Sequence, residues 1–126
     1  IINYPKQHSA NLTTKQKATR DWFKPMVRIV KNMRRRMVES GRLGADVAPS
    51  YFIEGLLYNV PAEKFGGTFE DSFVNAFNWI LTADRSKFVC ANEQYYLVRD
   101  GSAETWSAGK CELFLSELAK YWRDGG

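Results

Sequence analysis

Apolar residues recur at Phe23, Met26, Val27, Val30, Met33 and Met37, at helical spacings of three and four. At about 100° per residue these side chains share one face, so the segment calls for a helix laid against a core. Pro25 is tolerated only in a first turn, which predicts a helix start or a kink near residues 22–25. Gly41 and Gly44 supply the usual stop. A second helix is expected over residues 49–59. It is apolar nearly all round (Tyr51, Phe52, Ile53, Leu56, Leu57), which implies burial in the middle of the domain, and Pro61 ends it.

The rest of the chain follows from similar signals. Residues 1–13 read as polar and irregular, with Thr13 or Thr14 placed to cap a short helix. Thr68 begins a third strong helix, with Asp71 at capping-box spacing and a buried stripe of Phe69, Phe73, Phe77 and either Ile80 or Leu81. Residues 87–98 have the makings of a short hairpin around Asn92 and Glu93. A last helix, capped by Ser107, turns Cys111, Phe114 or Leu115, Leu118 and Trp122 to one side. The predicted fold class is mostly α, a compact bundle of four to five helices with a small β-hairpin.

With 126 residues the chain suits one domain with one core, residues 1–126. Hydrophobic residues at 44% against 25% charged exclude a disordered composition. No run approaches the roughly 18–20 apolar residues of a membrane span. The opening Ile1-Ile-Asn-Tyr-Pro-Lys6 lacks both an initiator Met and the pattern of a signal peptide. It reads as the end of a strand entering from a longer protein. Cys90 and Cys111 are too few for a disulfide framework and lack metal-ligand spacing, so both are expected as free, buried thiols.

The net charge of +4 matters through its placement, because Lys24, Arg28, Lys31, Arg34, Arg35 and Arg36 lie within thirteen positions. Lys24, Arg28, Lys31 and Arg35 form a stripe that borders the apolar face instead of opposing it. Lys31 sits nearest that border, where its stem can pack on the core edge while its ammonium reaches a cleft. A row of cations there suits a triphosphate, although most charge runs are simply solvated faces. Arg34 projects into the apolar sector and is expected to pair with Glu54, the lone charge on the buried helix. Ser50, following a proline at a helix start, reads as a cap and also as part of an anion site. The adjacent Tyr51 offers a ring for stacking on a base.

Three stretches, Tyr4-Pro-Lys-Gln-His8, Phe23-Lys-Pro-Met-Val-Arg-Ile-Val-Lys31 and Pro49-Ser-Tyr-Phe-Ile-Glu-Gly-Leu-Leu-Tyr-Asn-Val-Pro61, resemble the C-terminal helical region of bacterial CD-NTase-like enzymes. These belong with 2′-5′-oligoadenylate synthetase and cyclic GMP–AMP synthase among the polymerase-β-like nucleotidyltransferases. The resemblance covers most of the chain, is strongest over residues 1–61 and fades through 82–106. It implies that Lys31 contacts the triphosphate of an NTP, that Ser50 touches the phosphates and that Tyr51 stacks on the nucleobase. Arg28 enters as a phosphate neighbour only.

It also implies an N-terminal catalytic palm in the same protein, whose paired carboxylates hold Mg²⁺. Asp21, Asp46, Asp71, Asp84 and Asp100 are scattered and lack that pairing, so the chain alone is expected to be catalytically silent, with no metal site of its own. His8 stands alone and receives no role. The resemblance further implies a cytoplasmic enzyme making a cyclic or linear oligonucleotide signal, of the kind used in antiviral defence. Two other classes compete. One is a nucleic-acid-binding helical module working through Arg34, Arg35 and Arg36. The other is a structural domain that binds neither ligand.

Overall fold

A computed structural model describes residues 5–101 and 105–125, so the expected strand end at residues 1–4 lies outside the described residues. Among these, five α-helices run in the order α1 (Pro5–Ala18), α2 (Phe23–Glu39), α3 (Ser50–Tyr58), α4 (Phe69–Thr82) and α5 (Ala108–Arg123). Short 3₁₀ turns at Ala62–Lys64 and Arg85–Lys87 flank α4. The mostly helical fold class is the one the sequence predicts.

The central helix is α2, which packs against each of the other four. Its buried residues are the six of the periodic face: Phe23, Met26, Val27, Val30, Met33 and Met37. Pro25 falls in the first turn, where its missing N–H costs nothing. The helix stops at Ser40, and Gly41 follows with φ of 79°, a left-handed conformation that a side chain would resist. Beyond it, the guanidinium of Arg34 donates from Nη2 to the Ala45 carbonyl at 2.6 Å and from Nε to the Ala48 carbonyl at 3.1 Å. The expected Arg34–Glu54 pair is therefore not formed. Arg34 meets the connector before α3, whose bare carbonyls satisfy it, while Glu54 faces the side of α2 that carries Lys31.

Residues 5–13 correct the reading of an irregular start, because they belong to a continuous α1. Thr13 and Thr14 lie inside this helix instead of capping one, and Thr14 donates its hydroxyl back to the Ala10 carbonyl. The helix is polar nearly all round and so carries no periodic signal. Its anchors are specific contacts: Leu12 against the core, Asn11 Nδ2 to the Ala91 carbonyl at 2.7 Å, and Lys15 Nζ to the Val60 carbonyl. Burial lowers the pKa of Lys15 from its ordinary value. At its end Thr19, fully buried, accepts from the Phe23 amide at 3.0 Å and so begins α2.

Helix α3 ends at Asn59, whose side chain reaches sideways. Its Oδ1 accepts from the Val89 amide at 3.0 Å, and its Nδ2 donates to the Val89 carbonyl at 2.8 Å and the Gly55 carbonyl at 2.7 Å. Gly55 is needed for close approach, since a Cβ there would lie 2.7 Å from Leu97 Cδ1. The hairpin expected over 87–98 is reduced to an antiparallel bridge between Val89 and Tyr96, with Cys90 N–H to Tyr95 O and Leu97 N–H to Phe88 O.

Thr68 caps α4 by accepting from the Asp71 amide at 3.0 Å, and Ser107 caps α5 by accepting from the Lys110 amide at 3.2 Å. On α4 the buried stripe uses Phe73, Phe77 and Ile80, whereas Phe69 and Leu81 are exposed. Phe69 instead meets Trp22 edge-on at 5.1 Å. On α5 the inner positions are Cys111, Phe114, Leu115, Leu118 and Tyr121. Trp122 sits at the rim, covering Phe73 with ring centroids 4.3 Å apart. Trp106 closes the core. It stacks on Phe52 at 5.5 Å, leans on Phe114 at 5.9 Å and donates its indole N–H to the Val47 carbonyl at 2.7 Å.

Candidate functional site

An open cleft of about 240 Å³ lies between α1, α2 and α3, lined by Leu12, Phe23, Lys24, Val27, Arg28, Lys31 and Glu54. Three of the four cations in the basic stripe thus share one concave surface. Arg35, the fourth, is exposed beyond the cleft. The apolar floor comes from the edge of the α2 core face, so the stripe and the core meet there as the sequence spacing requires.

Lys31 is held by Glu54, with Nζ 2.8 Å from Oε2. Lys24 and Arg28 have no ion pair among the described residues, which leaves the cleft with excess positive charge. The other carboxylate oxygen of Glu54, Oε1, lies 3.3 Å from His8 Nε2. His8 Nδ1 is buried and has no hydrogen-bond partner among the described residues. The proton therefore belongs on Nε2, because an N–H on Nδ1 would be buried without an acceptor.

The His8 ring stacks on Tyr51 at 5.3 Å with an interplanar angle of 18°. Tyr51 stands one turn before Glu54 on α3 and keeps 37% of its surface exposed. The Cys90 thiol lies near its hydroxyl, while Phe52 meets the ring edge at 5.5 Å. Burial first, and the Cys90 contact second, push the Tyr51 phenol above its ordinary pKa, so the ring carries no charge at neutral pH. The structure thus joins Lys31, Glu54, His8 and Tyr51 in one continuous chain of contacts. Sequence reasoning missed two of these four: His8 was given no role and Glu54 the wrong partner. The spacing of Tyr51 and Glu54 by three positions, on one face of α3, was the available signal.

Ser50 occupies the first helical position of α3, not the cap. The cap position is Pro49, which has no side-chain capping bond, and Ser50 is exposed, its hydroxyl without a hydrogen bond among the described residues. Capping therefore does not explain Ser50. Arg34 is committed to the connector, so only Arg35 and Arg36 of the arginine run remain exposed. Cys90 and Cys111 are free and buried. The described residues gather no group of three or more His, Cys, Asp or Glu side chains that fits a metal ion. Among them no helix is long and apolar enough to cross a membrane.

Comparison with known proteins gives this geometry its family. Over 126 residues the chain is 45% identical to the cyclic UMP-AMP synthase of Rhodothermus marinus, covering all of this chain and 43% of that protein. It is 37% identical to the cyclic nucleotide synthase CdnE01 of Staphylococcus haemolyticus, covering 98% of this chain and 42% of that one. The chain thus spans less than half the length of these relatives. The solved structure of Rhodothermus marinus CdnE c-UMP-AMP synthase with Apcpp and Upnpp superposes with a TM-score of 0.94 at 45% identity, over 100% of this chain and 42% of that one. The Elizabethkingia meningoseptica CdnE cyclic dinucleotide synthase with GTP and Apcpp does so with a TM-score of 0.80 at 30% identity, over 100% and 46%. The model of the cGAS/DncV-like nucleotidyltransferase C-terminal helical domain matches residues 10–123, and the chain belongs to that family.

Proposed function

We propose that this chain is the nucleotide-binding helical part of a nucleotidyltransferase that converts NTPs into an oligonucleotide signal. The observation that carries the reading is the cleft itself, where Lys24, Arg28 and Lys31 converge; the half-exposed ring of Tyr51 lies outside its lining and is linked to its Glu54 wall through His8. Lys31 serves as a point charge for the triphosphate. Arg28 is a phosphate neighbour, and the free hydroxyl of Ser50 at the start of α3 adds a further phosphate contact. Tyr51 stacks on the base. The similarity to synthases named for cyclic products favours a cyclic product over a linear one. On this reading the metal-dependent chemistry belongs to a catalytic domain of the same protein, and the enzyme works in the cytoplasm and in antiviral defence. The nucleic-acid reading is weaker, since Arg34 is spent on the connector carbonyls.

Lys31→Ala in the full-length protein tests the proposal. Affinity for ATP should fall by about 1.5–3 kcal/mol, the usual worth of a hydrogen bond to a charged group, while affinity for adenosine changes far less. Thermal unfolding should shift little, because the pair with Glu54 is partly exposed and such pairs are worth about 0–1 kcal/mol. Equal losses for ATP and adenosine, or no loss for either, would return Lys31 to a solvated helix face.

A further inference from the structure

We propose that Glu54 is the positioning residue that ties the two ends of this nucleotide site together, a deepening that rests on the site proposed above. One carboxylate oxygen holds the Lys31 ammonium at the phosphate end. The other holds the His8 ring, which in turn lies against Tyr51 at the base end. Glu54 is the sole charged residue of α3, and its side chain is only 23% exposed. A carboxylate in that setting needs partners, and of the two it has one, Lys31, lines the cleft while the other, His8, stacks on Tyr51.

The chemistry of the partners makes the assignment specific. Both present hydrogens: Lys31 has three N–H donors and no acceptor, and His8 turns its protonated Nε2 toward the carboxylate. Each donor meets its own oxygen, His8 at Oε1 and Lys31 at Oε2, and glutamine keeps an acceptor at only one of these two positions while placing an NH2 donor at the other. Lys31 gives one of its three hydrogens to Oε2 and keeps two for phosphate oxygens, so the pair orients the ammonium without using it up. Nor does the carboxylate reverse the sign of the cleft, because Lys24 and Arg28 remain without ion pairs among the described residues.

The experiment uses the full-length protein and whichever of ATP, GTP, UTP and CTP the wild type binds most tightly, with the matching nucleoside. Glu54→Gln keeps the size of the side chain but can satisfy only one of its two donors. It should weaken NTP binding about three- to fivefold, in the range of a partly exposed ion pair, and nucleoside binding less. Combined with Lys31→Ala it should cost little more NTP affinity than Lys31→Ala alone, since the lysine that Glu54 orients is already gone. Glu54→Asp keeps both acceptors but shortens the reach, and gives the same comparison if the glutamine variant does not fold. Unchanged or tighter NTP binding in a folded Glu54 variant overturns the inference, as do fully multiplicative losses in the double variant. If Lys31→Ala is itself without effect, the proposed site fails and this inference with it; loss in Lys31→Ala with none in Glu54→Gln removes Glu54 alone.

Discussion

The surroundings of Trp106 and those of Tyr51 are both built from stacked rings, yet they are finished to different degrees. Trp106 is 1% exposed, its faces are covered by Phe52 and Phe114, and its indole N–H has the Val47 carbonyl. Around Tyr51 the packing is open. The ring is 37% exposed, and the Ser50 hydroxyl and His8 Nδ1 have no hydrogen-bond partner among the described residues; in the cleft on the far side of Glu54, Lys24 and Arg28 have no ion pair among them either. The two regions share Phe52, which stacks on Trp106 and meets Tyr51 edge-on. A folded chain that completes one aromatic cluster and leaves the next one incomplete sets a closed core beside unused bonding capacity within two residues of α3. Unused bonding capacity, more than charge alone, distinguishes the Tyr51 side.

The contrast makes opposite demands on substitution. Trp106→Ala should cost about 3–5 kcal/mol of stability, because it empties a closed part of the core and strands the Val47 carbonyl. Chemical denaturation of the purified chain measures this. A loss under 1 kcal/mol would show that the Trp106 cluster is no more finished than the other. Tyr51→Ala should act mainly on ligand, weakening nucleotide binding by about 1–3 kcal/mol in the full-length protein. Tyr51→Phe should restore most of that affinity, since it removes only the hydroxyl and keeps the ring. If Phe performs as poorly as Ala while both variants stay folded, the hydroxyl matters more than the ring.

The smallest effect concerns the buried thiols. Burial pushes Cys111 up to about 12, with a further contribution from Glu112, and burial also raises Cys90. Below the unfolded thiol pKa of about 8.5 both states are protonated and nothing changes. Above it the unfolded chain ionises while the folded chain does not, so stability falls as pH rises. The limit is about 1.4 kcal/mol per pH unit for each thiol. Denaturation midpoints between pH 7 and 10 test the sign. Cys111→Ala should flatten the decline, and an equal decline without Cys111 would assign it elsewhere, for example to Tyr51 and Tyr58, whose phenols are also raised mainly by burial.

Periodicity carried the legible part of the fold. The face of α2 was readable because its apolar residues repeat at helical spacing, and the caps Thr68 and Ser107 because capping chemistry is local, whereas α3, apolar nearly all round in sequence, buries only Ile53, Gly55, Leu56 and Leu57. Helix α1 was hidden because its single-residue anchors reach partners 45 to 80 positions away, a distance over which no local pattern forms. The same reason hid His8, which meets Glu54 across 46 positions. Opposite charge favours an Arg34–Glu54 pair in the sequence, but the connector offers Arg34 two bare carbonyls within reach, which no local pattern announces. The basic stripe could be placed beside the core from spacing alone, but not the carboxylate that faces it.

Asn59 shows how little strand structure the chain needs on this side. Its amide gives Val89 one acceptor and one donor, the same pair of bonds that a neighbouring strand would offer that residue. A single side chain at the end of α3 therefore serves as the edge partner for the segment that carries Cys90, and through the Cys90 contact that segment touches Tyr51. An aspartate here would keep the shape yet turn a second acceptor toward the Val89 and Gly55 carbonyls. The orientation of one amide thus works as a hinge pin, transmitting the placement of α3 to a stretch of chain that has no ladder of its own.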